Sequence, residues 1–185
     1  MKSDKVQSIG SRISYAWHEN SLTVIIAQHI PQRQRMMLEA WFLGWLLVGI
    51  GASIGFAEAS GSDRSFYLIF MAFWAFFAFR VLKVILWRRV GREMIRITKE
   101  GMTVKNAFWD WGKARFFIKG NIQKMEVIRR DPSKFIQNLD QSFWIMGGDS
   151  LEFGYLRGRF VLGKQLPEKD ALQLAKLIDQ GLRKF

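Results

Sequence analysis

Gly147-Gly148-Asp149-Ser150-Leu151 is the first place in this chain where nucleophilic chemistry could sit. A serine attacks an acyl carbon when a histidine takes its proton and a carboxylate orients that histidine. The chain has two histidines, His18 and His29, and neither follows Ser150. The four residues Gly147 to Ser150 are therefore expected to form a turn between two strands. Leu151 and Phe153 would then share one face, with Glu152 on the other. Metal chemistry fares no better. The histidines are eleven residues apart with no acidic cluster beside them, and there is no cysteine. The run "GKARFFIKGN" is rich in glycine and lysine but lacks the order of a phosphate loop. No catalytic set, metal site or cofactor motif is expected, and the chain reads as a non-enzyme.

What remains is charge. The 185 residues carry 28 basic and 16 acidic side chains, a net of +12. The excess is uneven: residues 80–130 hold 14 basic and four acidic residues, whereas residues 131–185 hold eight and seven. Lys113, Arg115 and Lys119 stand out within this stretch. They could face anionic lipid or an acidic partner protein. Nucleic acid is not expected, because strands without a reading helix offer only phosphate contacts. Trp109 and Trp111, flanking Asp110 in "NAFWDWGK", are expected in a loop between strands. They would anchor the core, enter a membrane interface or touch a partner.

These residues must be positioned by the elements around them. Residues 40–57 hold no charge, and neither do residues 65–79. Eighteen residues of helix span roughly 27 Å, close to the ~30 Å of a bilayer's hydrocarbon core. Two spans are expected, about 37–57 and 65–87, joined by the short polar turn "EASGSDRS" and hence antiparallel. Arg33, Arg35, Arg80, Lys83, Arg88, Arg89 and Arg92 flank them on one side, and the turn carries only Arg64. By the positive-inside rule both termini are cytoplasmic, and these seven cations are expected at the membrane interface with their stems along apolar surface. Residues 1–12 are polar, so no cleavable signal peptide is expected. Gly51 and Gly55 share a helix face, with Gly44 nearby, a spacing that lets backbones approach. Phe66, Phe70, Phe73 and Phe77 form a second stripe, facing lipid, the first helix or another subunit.

Outside the spans the period changes to two. Ile13, Tyr15 and Trp17 alternate, then Leu22, Val24 and Ile26; "EMIRIT", "MTVKN", "ARFFIKG", "SFWIMG", "LEFGYL" and "FVLG" read as further strands, with "NIQKMEVIRR" mixed. Past Pro167, Leu172, Ala175, Leu177, Ile178 and Leu182 mark one face of a helix. A lone hairpin is marginal in water, so the N-terminal one is expected to join the C-terminal sheet.

Strands followed by one C-terminal amphipathic helix resemble a pleckstrin-homology-like domain. "LWRRVGREMIRITKEGMTV" and "LEFGYLRGRFVLGKQLPEKDALQLAKLI" are similar to small bacterial membrane proteins in which two helices precede such a domain. The polar hairpin ending in Ile30-Pro31 before a Trp- and Gly-rich span fits as well, and the layout is distantly similar to the two-helix assembly factor of photosystem I. By contrast, Gly148-Asp149-Ser150-Leu151 matches the four letters of a serine esterase family. That family has its serine near the N-terminus and an Asp-x-x-His near the C-terminus, an order absent here. The resemblance implies a transmembrane hairpin (36–88) between an N-terminal β-hairpin (1–35) and a pleckstrin-homology-like domain (89–185), that is, an antiparallel sheet capped by a C-terminal helix. It also implies a bacterial inner-membrane location and a binding role. The expected function is an accessory or assembly subunit of a larger membrane complex, whose partners are other membrane-protein subunits. The alternative is a stand-alone module binding anionic lipid.

Overall fold

The computed structural model describes residues 5–28, 30–109, 111–128 and 148–185. Three strands come first: β1 (Gln7–Ile9), β2 (Ile13–Trp17) and β3 (Ser21–Ala27). Two long helices follow, α1 (Gln32–Glu58) and α2 (Ser62–Val90). The chain then returns to strands: β4 (Gly91–Thr98), β5 (Gly101–Phe108), β6 (Trp111–Ile118), a 3-10 turn at Lys119–Asn121, β7 (Glu126–Val127), β8 (Asp149–Tyr155) and β9 (Gly158–Lys164). Helix α3 (Glu168–Lys184) closes it.

Alternation in the sequence sets the pairing. In β3 and β4, Leu22 faces Ile97, Val24 faces Ile95 and Ile26 faces Glu93. A one-residue slip would turn these apolar side chains to solvent, so the register is strongly specified. The result is a six-stranded antiparallel sheet, β1 to β6 in order, whose two halves lie on either side of the helices in sequence. A second sheet, β7-β8-β9, packs against it, and both share one core with α3. Phe117 of β6 joins the sheets: it meets Phe153, Tyr155 and Phe160 edge-on, with ring centroids 5.1, 5.1 and 4.9 Å away. The strand expected at "SFWIMG" lies outside the described residues.

Helix α3 buries Ala171, Leu174, Ala175, Leu177, Ile178 and Gly181. Leu172, expected on this face, is 46% exposed. The wheel centres one position over because Gly181 must sit on Leu22 and Ile97, where a side chain would collide. Pro167 stands just outside the helix, with φ −56° and ψ 144°.

Helices α1 and α2 are long and apolar enough to cross a membrane, with mean hydropathies of 1.7 and 2.1 and little of either surface buried. The inward residues of α1 repeat at alternating steps of four and three, Leu38, Phe42, Trp45, Gly49 and Ala52, and face Tyr67, Trp74, Ala78, Val81 and Ile85 of α2. That is the seam of near-antiparallel helices packed ridge into groove. Trp45 and Trp74 lock it reciprocally. The Trp74 indole N–H donates to the Trp45 carbonyl at 2.8 Å, and the Trp45 N–H donates to the Trp74 carbonyl at 3.3 Å. Glycine is needed at the contact, for a Cβ on Gly49 would fall inside the Trp74 ring and one on Gly55 would strike Tyr67. Gly55 thus serves the α1–α2 contact, whereas Gly51 does not. Gly51 and Gly44 meet open space, and Gly49 takes the role because the bulky partner, Trp74, lies opposite it. The phenylalanine stripe turns outward: Phe66, Phe73 and Phe77 are exposed and Phe70 is partly covered. The seam uses Tyr67 and Trp74, one residue further round, so the stripe is not the contact with α1.

No linker separates α2 from the sheet. Val90 ends the helix and Gly91 begins β4. Trp87 is buried at this corner against Phe108 of β5, with centroids 5.0 Å apart. A Cβ on Gly91 would run into the carbonyl and ring of Trp87.

Candidate functional site

Ser150 is settled by its contacts. It lies within β8, not in a turn, and is buried. Its Oγ accepts the Leu166 N–H at 2.9 Å and donates to the Leu166 carbonyl at 3.3 Å, bracing the approach to α3. Of the expected turn, Gly148 has φ 83° and precedes the strand, while Asp149 already belongs to it; Gly147 lies outside the described residues. Leu151 and Phe153 are buried on one face, with Glu152 on the other. His18 sits in the β2–β3 turn beside Trp17, which packs on Phe185 at the far end of α3. The length of α3, 17 residues or roughly 25 Å, separates it from Leu166 and Ser150. His29 lies outside the described residues. Among the described residues no group of three His, Asp or Glu is placed to hold a metal ion.

A buried polar cluster occupies the corner where helices meet sheet. Arg12, in the β1–β2 turn, donates to the carbonyls of Ala27 (2.8 Å), Gln165 (2.7 Å) and Lys164 (3.1 Å) and to Gln28 Oε1 (2.9 Å). Glu93, 1% exposed, accepts the Gly163 N–H at 2.8 Å. Burial pushes its carboxyl up to about 7, with the nearby Asp149 adding to the rise; the Gly163 N–H and the Lys164 charge offset part of it. Burial also lowers the pKa of Arg12, against the attraction of Glu93 and Asp170. Arg88 belongs to this cluster and not to an interface. It is 3% exposed and its guanidinium donates to Gln165 Oε1. Such a residue reads as an interfacial cation from sequence because nothing there shows that α2 enters the sheet without a break.

The other flanking cations keep exposed positions. Arg33 and Arg35 lie in the first turns of α1, and Arg89 pairs with Glu39 at 2.9 Å. Arg80 lies over the Phe76 ring at 5.7 Å, Lys83 is exposed on α2, and Arg92 is on the outer face of β4.

The expected basic residues separate into two places. Alternation along β6 puts Trp111, Lys113, Arg115 and Phe117 on one face, toward the second sheet. Lys113 and Arg115 line a cleft of about 340 Å³ between β5–β6 and β8–β9. Lys164 comes from across it, 3.4 Å from Asp149, with Asn106 beside them and Phe117, Phe153 and Phe160 as the apolar wall. Lys119 follows β6 at the opposite end from Trp111 and is not in the cleft. Lys164 and Asn106 were not singled out from sequence, because only the pairing of distant strands brings them to Lys113.

Trp109 and Trp111 are 62% and 85% exposed, which excludes a core role for them. Trp109 adopts φ 52°, and its backbone N–H donates to the Val90 carbonyl at 3.2 Å. The β5–β6 tip is thereby fixed to the last turn of α2. Trp109 and Phe108 wall an apolar groove of about 360 Å³ with Phe79, Leu82, Leu86 and Val90 of α2, and Lys83 at its margin.

The class that emerges is a hairpin of two apolar helices, each long enough to cross a membrane, fused to an antiparallel-sheet domain with a C-terminal helix. Beyond that class, the chain matches no protein-family model and no curated protein.

Proposed function

We propose that the protein is a non-catalytic membrane module whose domain engages the anionic surface of the bilayer that holds its helices. The observation that carries this is the fixing of the exposed Trp109–Trp111 tip to Val90, where α2 leaves the apolar zone. Tryptophan favours the headgroup level, and Lys113 and Arg115 follow directly on the same strand. The cations at the sheet end of the hairpin support a cytoplasmic domain in a bacterial inner membrane, with the single Arg64 at the other turn. The strand order with one closing helix supports a pleckstrin-homology-like domain. In nanodiscs, brominated lipids should quench the tip tryptophans, an effect reduced in Trp109→Phe/Trp111→Phe protein and stronger with anionic than with zwitterionic lipid. Equal quenching in wild type and variant would defeat this reading.

A second reading is an accessory or assembly subunit of a larger membrane complex. It is favoured by Gly44 and Gly51, which leave bare backbone on the outer side of α1 while Gly49 and Gly55 serve the seam. Gly51→Leu should then leave the hairpin folded yet abolish co-purification of other membrane subunits in mild detergent, whereas Gly49→Leu should disrupt the hairpin itself. Recovery of the wild type as a free monomer in every detergent would count against it.

A further inference from the structure

We propose that the cleft between β5–β6 and β8–β9 is a binding site for a phosphate monoester. This deepens the surface-engaging reading above and rests on it only for the membrane as a source of ligand.

The argument begins with the side chains. Lys113 and Arg115 are two residues apart on one strand, roughly 7 Å along its axis, which suits two cations gripping one phosphate. Among the described residues neither side chain has an ion-pair or hydrogen-bond partner. Lys164 faces them across the cleft, paired to Asp149 at 3.4 Å. Three cations and one carboxylate leave the cleft a net charge of +2 if all are ionised. A phosphate monoester carries about −1.5 to −2 at neutral pH, so it balances this charge better than a diester or a carboxylate does. Arg115 supplies a planar fork for two phosphate oxygens, and Lys113 a point charge. The Phe117, Phe153 and Phe160 wall lowers the local dielectric and strengthens both contacts. Asn106 and Asp149 add an amide and a carboxylate, which fit a hydroxyl next to the phosphate. The volume, about 340 Å³, suits a small polar head and is too small for a folded partner.

Two sources share this chemistry: the phosphate of a lipid such as phosphatidic acid, and a soluble ester such as glycerol 3-phosphate. The test uses the full chain in zwitterionic nanodiscs. Glycerol 3-phosphate is titrated by calorimetry, and phosphatidic acid is incorporated at stated fractions and read by native mass spectrometry. Binding of either probe, weakened roughly tenfold or more in Lys113→Gln/Arg115→Gln protein but unchanged in the charge-matched Lys99→Gln/Lys119→Gln protein, would establish the site. Binding of both probes marks the phosphate alone as the determinant, and binding of phosphatidic acid alone assigns the lipid as source. Equal loss in the two double variants would reduce the effect to overall charge and overturn the proposal, as would no binding of either probe. Equal tryptophan quenching in wild type and Trp109→Phe/Trp111→Phe protein, with glycerol 3-phosphate binding intact, would defeat the surface reading while leaving the cleft standing.

Discussion

Arg12→Met is expected to cost about 3 kcal/mol or more of folding stability. Arg12 lies in a two-strand turn near the N-terminus, yet it holds three carbonyls and one amide oxygen, two of them more than 150 residues away in sequence. Methionine fills much of the same volume and donates nothing. The carbonyls of Ala27, Lys164 and Gln165 would lose a charged donor in a partly buried place, and Glu93 would lose the favourable field of a cation. Arg12→Lys keeps the charge, but an ammonium on a flexible stem cannot span four acceptors as a planar fork does, so it should recover less than half. Chemical unfolding in detergent measures the cost. Hydrogen exchange locates it, with protection falling first across residues 163–166. A midpoint unmoved by Arg12→Met would show that the four contacts contribute little.

The second large effect depends on pH. Glu93 is raised in the folded protein from its ordinary 4.5 to about 7, chiefly by burial. In the unfolded chain it ionises near the ordinary value. The folded state therefore favours the protonated form, and the stability linked to this group is fully present below pH ~4.5, declines between ~4.5 and ~7, and is gone above. Gln at this position keeps an acceptor for the Gly163 N–H and has no proton to lose. Glu93→Gln should match the wild type near pH 4 and exceed it by about 3 kcal/mol at pH 8. Among the described residues Arg12, Asp149 and Lys164 face Glu93, so the same curve should be repeated in Asp149→Asn to remove that neighbouring carboxylate. Parallel stability–pH curves for wild type and Glu93→Gln would refute the assignment.

Much of the architecture was legible because it rests on periodicity. Eighteen uncharged residues at 40–57 read as a spanning helix, and the alternation of Leu22, Val24 and Ile26 reads as a strand whichever strand it pairs with. What periodicity does not carry is the identity of the partner. Gly49, Gly51 and Gly55 look alike along α1, and the Trp74 ring alone distinguishes Gly49 from Gly51. Ser150 resembled a turn residue because glycines precede it, while its hydrogen bonds go to Leu166, sixteen positions on. The cleft was half visible: Lys113 and Arg115 share a face by simple alternation, but Lys164 and Asn106 reach them only through pairings across two sheets. Arg88 escaped altogether, since a cation at the end of an apolar helix has the same letters whether lipid headgroups or a folded domain lie beyond it.

The direct passage from Val90 into Gly91 has a mechanical consequence. Trp87 wedged against Phe108, the Trp109 bond to Val90 and the Arg88 contact to Gln165 remove the swivel that a tether would provide. These contacts couple the domain directly to the end of α2. With α2 spanning a bilayer as proposed above, a change of bilayer thickness that tilts the helix would carry the sheet and its cleft with it.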